Sequence, residues 1–245
     1  MSDLWQAARE CAEAWDLTLE APLKDSYSLV IPAGDVVLKV NAVWHFEAEF
    51  EADALDLWAG RGAVRLIARD DERRALLLER CRPGTRLEDS GADEIEIVAG
   101  LLPRLSLAQE DPHPFRRLAD EAERWTREVP ERHPPGRLLD AALDVFRSVD
   151  PDARHLVNQD LHGGNVLAAE REPWLVIDPK PLVGEREIDG VGLLRNADDP
   201  RPWVDALAKL GYDRERLWSW GFAHALAWED AAQAERIYET FSSGA

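Results

Sequence analysis

The stretch from Asp160 to Asp178 constrains this chain more than any other part of it. It reads Asp160-Leu161-His162-Gly163-Gly164-Asn165, then a strand-like Val166-Leu167, a turn, and Trp174-Leu175-Val176-Ile177-Asp178. A carboxylate, an amide and a second carboxylate thus sit on a loop and at the end of the apolar strand that follows it. Phosphoryl transfer asks for such a set. One group must hold the acceptor hydroxyl and take its proton, and hard oxygen ligands must hold Mg²⁺ against the phosphates. Each residue alone has a plainer explanation: Asp160 capping its own turn, Asn165 turning beside glycine, Asp178 capping a strand end. Together, at these spacings and between strands, they favour chemistry. Asp160 is the candidate base, with Asn165 and Asp178 the candidate metal ligands.

The rest of the chain is organised in two parts. Residues 3–15 have the apolar stripe of an amphipathic helix, and short extended runs follow at 17–19, 27–31 and 36–40. A helix is expected over 45–59 and two more strands over 63–68 and 74–79. Beyond Cys81 the pattern turns helical, over 92–108, 114–128, 137–149 and most of 186–241. The expectation is an α+β, bilobal, protein-kinase-like fold. Residues 1–80 would form a β-rich N-lobe for the nucleotide, and 81–245 a helical C-lobe with the catalytic loop and the acceptor pocket.

Within the first part, Lys39 ends a β-branched strand, where a cation facing a cleft would neutralise phosphate oxygens. A lysine snorkelling from a strand end is the alternative. Its partner would be a glutamate on the next helix. Glu47 and Glu51 share a face there, and Glu51 is preferred because it lies further into the helix. Leu76-Leu77-Leu78-Glu79-Arg80-Cys81 reads as the hinge between lobes, with adenine read by backbone near Glu79 and Cys81. Gly60-Arg61-Gly62 reads as a helix C-cap. No Walker A sequence occurs. Asp160-x-His162 resembles a metal-ligand pair, but without a further histidine at useful spacing it supports a hydrolase poorly.

Composition narrows the partners. Against 48 Asp and Glu the chain sets 29 Lys and Arg, a formal charge of −19, which disfavours nucleic acid and anionic membrane and favours cationic ligands. Two cysteines make neither a disulfide framework nor a zinc site. There is no signal-peptide pattern at Met1–Gln6 and no membrane-length apolar run, so a cytoplasmic setting is expected.

At this level of detail the loop is similar to known proteins. Val157-Asn158-Gln159-Asp160-Leu161-His162-Gly163-Gly164-Asn165-Val166-Leu167 resembles the catalytic loop of the aminoglycoside phosphotransferases. Ile177-Asp178-Pro179-Lys180-Pro181-Leu182-Val183-Gly184, then Asp189 and Leu193-Leu194-Arg195-Asn196, resembles the branch with streptomycin 6-phosphotransferases and hydroxyurea phosphotransferases. The likeness runs from about residue 11 to 196. It implies Asp160 as base, Asn165 and Asp178 as magnesium ligands, Lys39 with Glu51 as the nucleotide pair, and Asp189 as a buried brace of the loop. It further implies ATP, or GTP, as donor and a small hydroxylated, cationic acceptor such as a streptomycin-like aminoglycoside, hence a role in antibiotic resistance. A metabolic alcohol, an amino sugar or hydroxyurea is the alternative acceptor, and a catalytically silent nucleotide-binding module the alternative function.

Three departures from the pattern stand out. Asn158 occupies a position where many members have His. Asp25-Ser26-Tyr27-Ser28, over the phosphates, lacks glycine. After Asn196 the chain looks short; Asp198, Asp199, Glu229 and Asp230 are acidic groups there that could meet an acceptor cation, although capping or solvating helices is the preferred reading of any single one.

Overall fold

The computed structural model describes residues 2–244; Met1 and Ala245, the outer ends of the two expected lobes, lie outside the described residues. The first part begins with α1 (Ser2–Ala14), β1 (Lys24–Asp25), β2 (Ser28–Ala33) and β3 (Val36–Asn41). It continues with α2 (Glu51–Trp58), β4 (Leu66–Asp70) and β5 (Ala75–Glu79). Its strands make one antiparallel sheet in the order β1-β2-β3-β5-β4. Strand alternation decides what each face carries. Leu29, Ile31, Leu38, Val40 and Ala75 share an apolar cluster with Ala8 and Cys11 of α1. Val30, Val37 and Lys39, between them in sequence, therefore face the other way, into a cleft.

Two expected elements differ here. The helix over 45–59 is broken into a 3₁₀ turn, Phe46–Ala48, and α2, because Phe50 (φ −106°, ψ 18°) leaves helical geometry between them. α2 then ends on Ala59 in the left-handed conformation, followed by Gly60 and Gly62 at positive φ, as a glycine-rich C-cap should. The strand over 63–68 starts only at Leu66, because residues 62–64 pair elsewhere. Val64 N–H donates to Val176 O at 3.0 Å and Val176 N–H to Gly62 O at 2.9 Å. This tie presses the strand before Asp178 against the sheet's end.

The second part contains α3 (Glu94–Leu105), α4 (Leu118–Arg132), α5 (Arg137–Arg147) and the short strands β6 (His155–Asn158), β7 (Val166–Ala168), β8 (Trp174–Val176) and β9 (Pro181–Gly184). It closes with α6 (Val191–Asn196), α7 (Arg201–Lys209), α8 (Arg214–Ala227) and α9 (Ala231–Ser242). β6 pairs with β9 and β7 with β8. α4 begins later than the expected 114, because 116–117 run extended beside β9, where Val183 N–H donates to Arg116 O. It also runs through Pro130, where the missing N–H removes one bond in the last turn.

α8 is the central helix, packed by α5, α6 and α9. Trp125, Phe146 and Trp220 meet beside it at centroid distances of 5.6–6.5 Å. Five of the ten tryptophans are buried, four are half-buried against the apolar clusters, and Trp44 is exposed. No helix among the described residues is long and apolar enough to cross a membrane.

Candidate active site

The loop that carries Asp160 is held from below by one asparagine. Asn158 Oδ1 accepts from Asp160 N–H at 3.2 Å and from Lys180 N–H at 2.9 Å, so a single amide spaces the two segments. Asn158 N–H in turn donates to Asp189 Oδ1 at 2.8 Å. Asp189 is 1% exposed, and burial pushes its carboxyl up to about 7 against the hydrogen bonds from Asn158 and Tyr212. Asn158 thus ties the loop to Lys180 and to buried Asp189, the contact through which the resemblance has Asp189 brace it. Gly192 lets α6 lie directly on the loop, because a Cβ at that position would collide with the Leu161 backbone.

Asp160 presents both oxygens to partners. Asn165 Nδ2 donates to Asp160 O at 3.0 Å and to its Oδ2 at 3.3 Å. Arg195, from α6, ion-pairs with Oδ1, and its guanidinium lies 4.4 Å over the Trp228 ring. With its amide nitrogen spent on Asp160, Asn165 keeps its carbonyl oxygen for the cavity it lines. Gly163 and Gly164 permit close packing around the loop. Side chains of Glu94, Glu88 and His162 occupy the space a Cβ would take.

Asp178 sits at φ 50°, a left-handed turn directly after the strand, where a non-glycine residue is uncommon. Its Oδ1 receives Lys39 Nζ at 2.6 Å and also Lys180 Nζ, while Lys24 stands 3.8 Å from Oδ2. Burial opposes the charged carboxylate, but Lys39 and Lys180 outweigh it and hold Asp178 far below the usual range. Lys39, fully buried, is held charged by the same balance, with Asp178 and Glu51 overcoming desolvation.

Glu51 grips Lys39 through both oxygens at 2.7 Å and accepts from Asn41 Nδ2 at 3.1 Å. The preferred glutamate is thus the one that pairs, although not for the expected reason. Glu51 is the first residue of α2, and Glu47, on the preceding 3₁₀ turn, lines a different cavity.

Two cavities meet at Asp178. The first, about 390 Å³, is lined by Val30, Val37, Lys39, Glu51, Leu78, Glu79, Cys81, Asn165 and Asp178, among others. The Glu79 carboxylate is already taken by Arg171 at 2.8 and 2.9 Å and by Arg65 N–H at 3.1 Å. The Cys81 thiol is pushed up to about 11 by burial, so it is no nucleophile. The second cavity, about 440 Å³, is lined by Tyr27, Trp44, His45, Phe46, Glu47, Asp160, Asp178, Lys180 and Trp228, with Lys24 on the rim of both. Burial, helped by Lys180, lowers His45 to about 4, which keeps it neutral.

The donor set fits Mg²⁺: one carboxylate and one free amide oxygen are hard ligands, and magnesium habitually completes its shell with water and phosphate oxygens. His162 spends Nδ1 on Gly164 N–H at 3.1 Å, and no cluster of three His, Cys, Asp or Glu exists among the described residues. The Asp160–His162 metal reading therefore has no support. The acidic groups after Asn196 serve the fold. Asp199 pairs with Arg201, Glu229 with Arg132 at 2.7 Å, Asp230 caps α9, and Asp198 lies 3.8 Å from Arg236. Lys180, Arg195 and Trp228 were missed as site residues, although Lys180 stands two positions after Asp178 in the quoted motif.

Comparison with known proteins agrees with this geometry. A family model described as aminoglycoside/hydroxyurea antibiotic resistance kinase matches residues 28–236. A hydroxyurea phosphotransferase of Kitasatospora aureofaciens is 37% identical over 235 residues, covering 86% of this chain and 68% of that protein. A streptomycin 6-kinase of Streptomyces glaucescens is 34% identical over 249 residues, covering 89% and 79%. Among solved structures, choline kinase LicA from Streptococcus pneumoniae superposes with a TM-score of 0.71 at 11% identity, over 98% of this chain and 99% of that one. That likeness establishes the kinase-like fold. The 209-residue span of the family match and the two relatives establish the rest: the chain belongs to the aminoglycoside/hydroxyurea antibiotic resistance kinases, small-molecule phosphotransferases that use a nucleotide.

Proposed function

We propose that the chain transfers the γ-phosphate of ATP to a hydroxyl of a small polar molecule, with the nucleotide in the first cavity and the acceptor in the second. One observation carries this reading: Asp178 lines both cavities, with Asn165 and Lys39 on the first and Asp160 on the second. The base and the metal-binding carboxylate then stand on either side of the phosphoryl group that moves.

Lys39, oriented by Glu51, meets the phosphates of the nucleotide. Asn165 Oδ1 and the Asp178 carboxylate are the groups that would hold Mg²⁺. When bound, the metal supplies charge neutralisation on the phosphate oxygens. Asp160, fixed by Arg195 and Asn165, accepts the acceptor hydroxyl's hydrogen bond and takes its proton as the new P–O bond forms. Backbone at Glu79–Cys81 faces the end of the first cavity where adenine would lie. Glu47, in the second cavity, is the carboxylate that would meet a cationic group of the acceptor. The first named acceptor is a streptomycin-like aminoglycoside, with hydroxyurea next, and the cytoplasm supplies the ATP.

The test is coupled ADP release with Mg²⁺-ATP, and separately Mg²⁺-GTP, across aminoglycosides, amino sugars, hydroxyurea and simple alcohols, with Asp160→Ala as the blank. A single strong acceptor, silent in the blank, is the expected result. Clear nucleotide binding with a silent panel would favour a binding module instead.

A further inference from the structure

Lys180 has a position that the reading above leaves without a task. It is 4% exposed, and its N–H is fixed to Asn158 Oδ1, the same atom that holds Asp160 N–H. Its ammonium turns back onto Asp178 Oδ1 and lies 3.4 Å from Asp178 O. Lys39 bonds that same carboxylate oxygen at 2.6 Å. The two lysines are nevertheless not equivalent. Lys39 lines the first cavity and is held by both oxygens of Glu51. Lys180 lines the second, beside Asp160, and among the described residues Asp178 is the one carboxylate it pairs with.

A carboxylate oxygen given to a metal ion has fewer lone pairs left for two ammonium donors. Lys39 keeps Glu51 in that event. Lys180, buried and unable to reach solvent freely, needs another oxygen. The group it faces is the phosphoryl in transit between the cavities.

We propose that Lys180 is a further catalytic residue, a cation supplied by this chain to the transferring phosphoryl group from the acceptor side. The proposal rests on the phosphotransferase reading above. In the step, the acceptor oxygen forms its bond to the γ-phosphorus as the bond to the β–γ bridging oxygen breaks. The electron pair of the broken bond leaves with ADP, and the hydroxyl proton passes to Asp160. Lys180 keeps its own proton and donates hydrogen bonds to the non-bridging oxygens, where charge is spread in the transition state. Lys39 cannot take this role, since Glu51 anchors it on the nucleotide side.

Lys180→Met keeps the length and removes the charge. Two readouts separate its effect. In turnover of streptomycin, or of whichever acceptor the panel selects, kcat should fall about 10²–10³-fold, as for loss of one transition-state donor, with acceptor KM changed less than about threefold. In melting experiments without turnover, Mg²⁺-ADP should stabilise the variant as it does wild type. The additional shift given by tetrafluoroaluminate, a mimic of the phosphoryl in flight, should be lost. Lys180→Arg should recover part of both.

Turnover within about threefold of wild type, a retained tetrafluoroaluminate increment, or loss of the Mg²⁺-ADP shift itself would each overturn the proposal; the last would make Lys180 a ground-state ligand. If Lys180→Met does not fold, Lys180→Gln, which keeps a donor without charge, is read the same way. Absence of turnover and of the increment in wild type would instead overturn the parent reading, and this role with it.

Discussion

The two cavities that meet at Asp178 are built from different material. The first has one wall of regular structure: Val30 of β2, Val37 and Lys39 of β3, Leu78 and Glu79 of β5, and Glu51 of α2. Loop residues such as Cys81, Gly84 and Ile177 close it, and it is backed by a chain of partners from Ser28 through Asn41, Glu51 and Lys39 to Asp178. The second is walled by a 3₁₀ turn and loop residues, and three of its aromatics are open to solvent, Tyr27 58%, Trp44 63% and Phe46 41% exposed, while Trp228 is half-buried. A rigid half suits handling of a nucleotide common to many kinases. A loop-built half lets acceptor choice vary by side-chain replacement without disturbing the chemistry. The contrast predicts that substitutions in the two halves separate cleanly in what they change.

The largest effect should come from the base beside the seam, on the second cavity. Asp160→Ala is expected to lower kcat about 10²–10⁴-fold, while stabilisation by Mg²⁺-ADP survives; near-wild-type turnover would remove Asp160 from the mechanism. Next comes the rigid half. Glu51 is fully buried and paired, so Glu51→Ala should destabilise the fold by about 3 kcal/mol, the lower end of breaking a buried pair, because Lys39 keeps Asp178. Chemical denaturation measures this, and the Mg²⁺-ADP shift should weaken with it. Glu47→Ala is the matched control across the seam, expected to leave stability and nucleotide binding alone and to raise only the KM of a cationic acceptor. A loss of nucleotide binding in Glu47→Ala would break the division.

Both halves stand on Asp189, and that platform should depend on pH. Its carboxyl titrates near 7 when folded and near 3.8 when exposed. Between those values the folded state keeps a proton that the unfolded state has lost, so stability falls as pH rises through the window and levels off above it. The slope is at most about 1.4 kcal/mol per pH unit. His45, lowered to about 4, acts in the opposite direction over the acidic part of that range. The clean measurement is therefore a difference: Asp189→Asn minus wild type, by denaturation from pH 4 to 8. The variant should gain steadily on wild type up to about 7. A flat difference would mean that Asp189 is ionised in the fold.

What could be read from the sequence follows the same seam. Its place at the end of a β-branched run marks Lys39, and a short-range loop pattern brings Asp160, Asn165 and Asp178 together. Both are local signals, and both lead to residues the structure gathers at the seam. Glu51 came from helix periodicity, yet the helix it was read from breaks at Phe50, so the right residue rested on an inexact element. Arg195 is hidden from the sequence because tertiary packing chooses its partner, Asp160, 35 positions away. Lys180 stands only two positions from Asp178, and what the sequence does not show is the left-handed turn at Asp178 that accompanies their pairing. Net charge says least about position. The overall −19 favours a cationic ligand without locating its site; Asp199 and Glu229 pair with arginines, Asp230 caps a helix, and Asp198 stands exposed 3.8 Å from Arg236. The second cavity itself sets Lys24 and Lys180 against Glu47, Asp160 and Asp178.

The smallest expected effect is the sharpest test of the open half. Trp44 packs its ring edge-on against Tyr27 at 5.1 Å and otherwise faces solvent beside the second cavity. An exposed side chain holds little of the fold, so Trp44→Ala should change stability by no more than about 0.5 kcal/mol. If the ring forms part of the acceptor wall, acceptor KM should rise by about 1 kcal/mol, roughly fivefold, with kcat and nucleotide affinity unchanged. Comparing acceptors then tells which force the wall uses. A cation held against an aromatic face loses more than a neutral molecule of similar area. A larger KM change for a guanidinium-bearing aminoglycoside than for an uncharged polyol would place charge recognition in the aromatic wall as well as in Glu47. Equal changes would leave Glu47 as the charge reader and the ring as contact area. An unchanged KM for every acceptor would put the binding wall deeper, at Phe46 and Trp228, and make Trp44 surface alone.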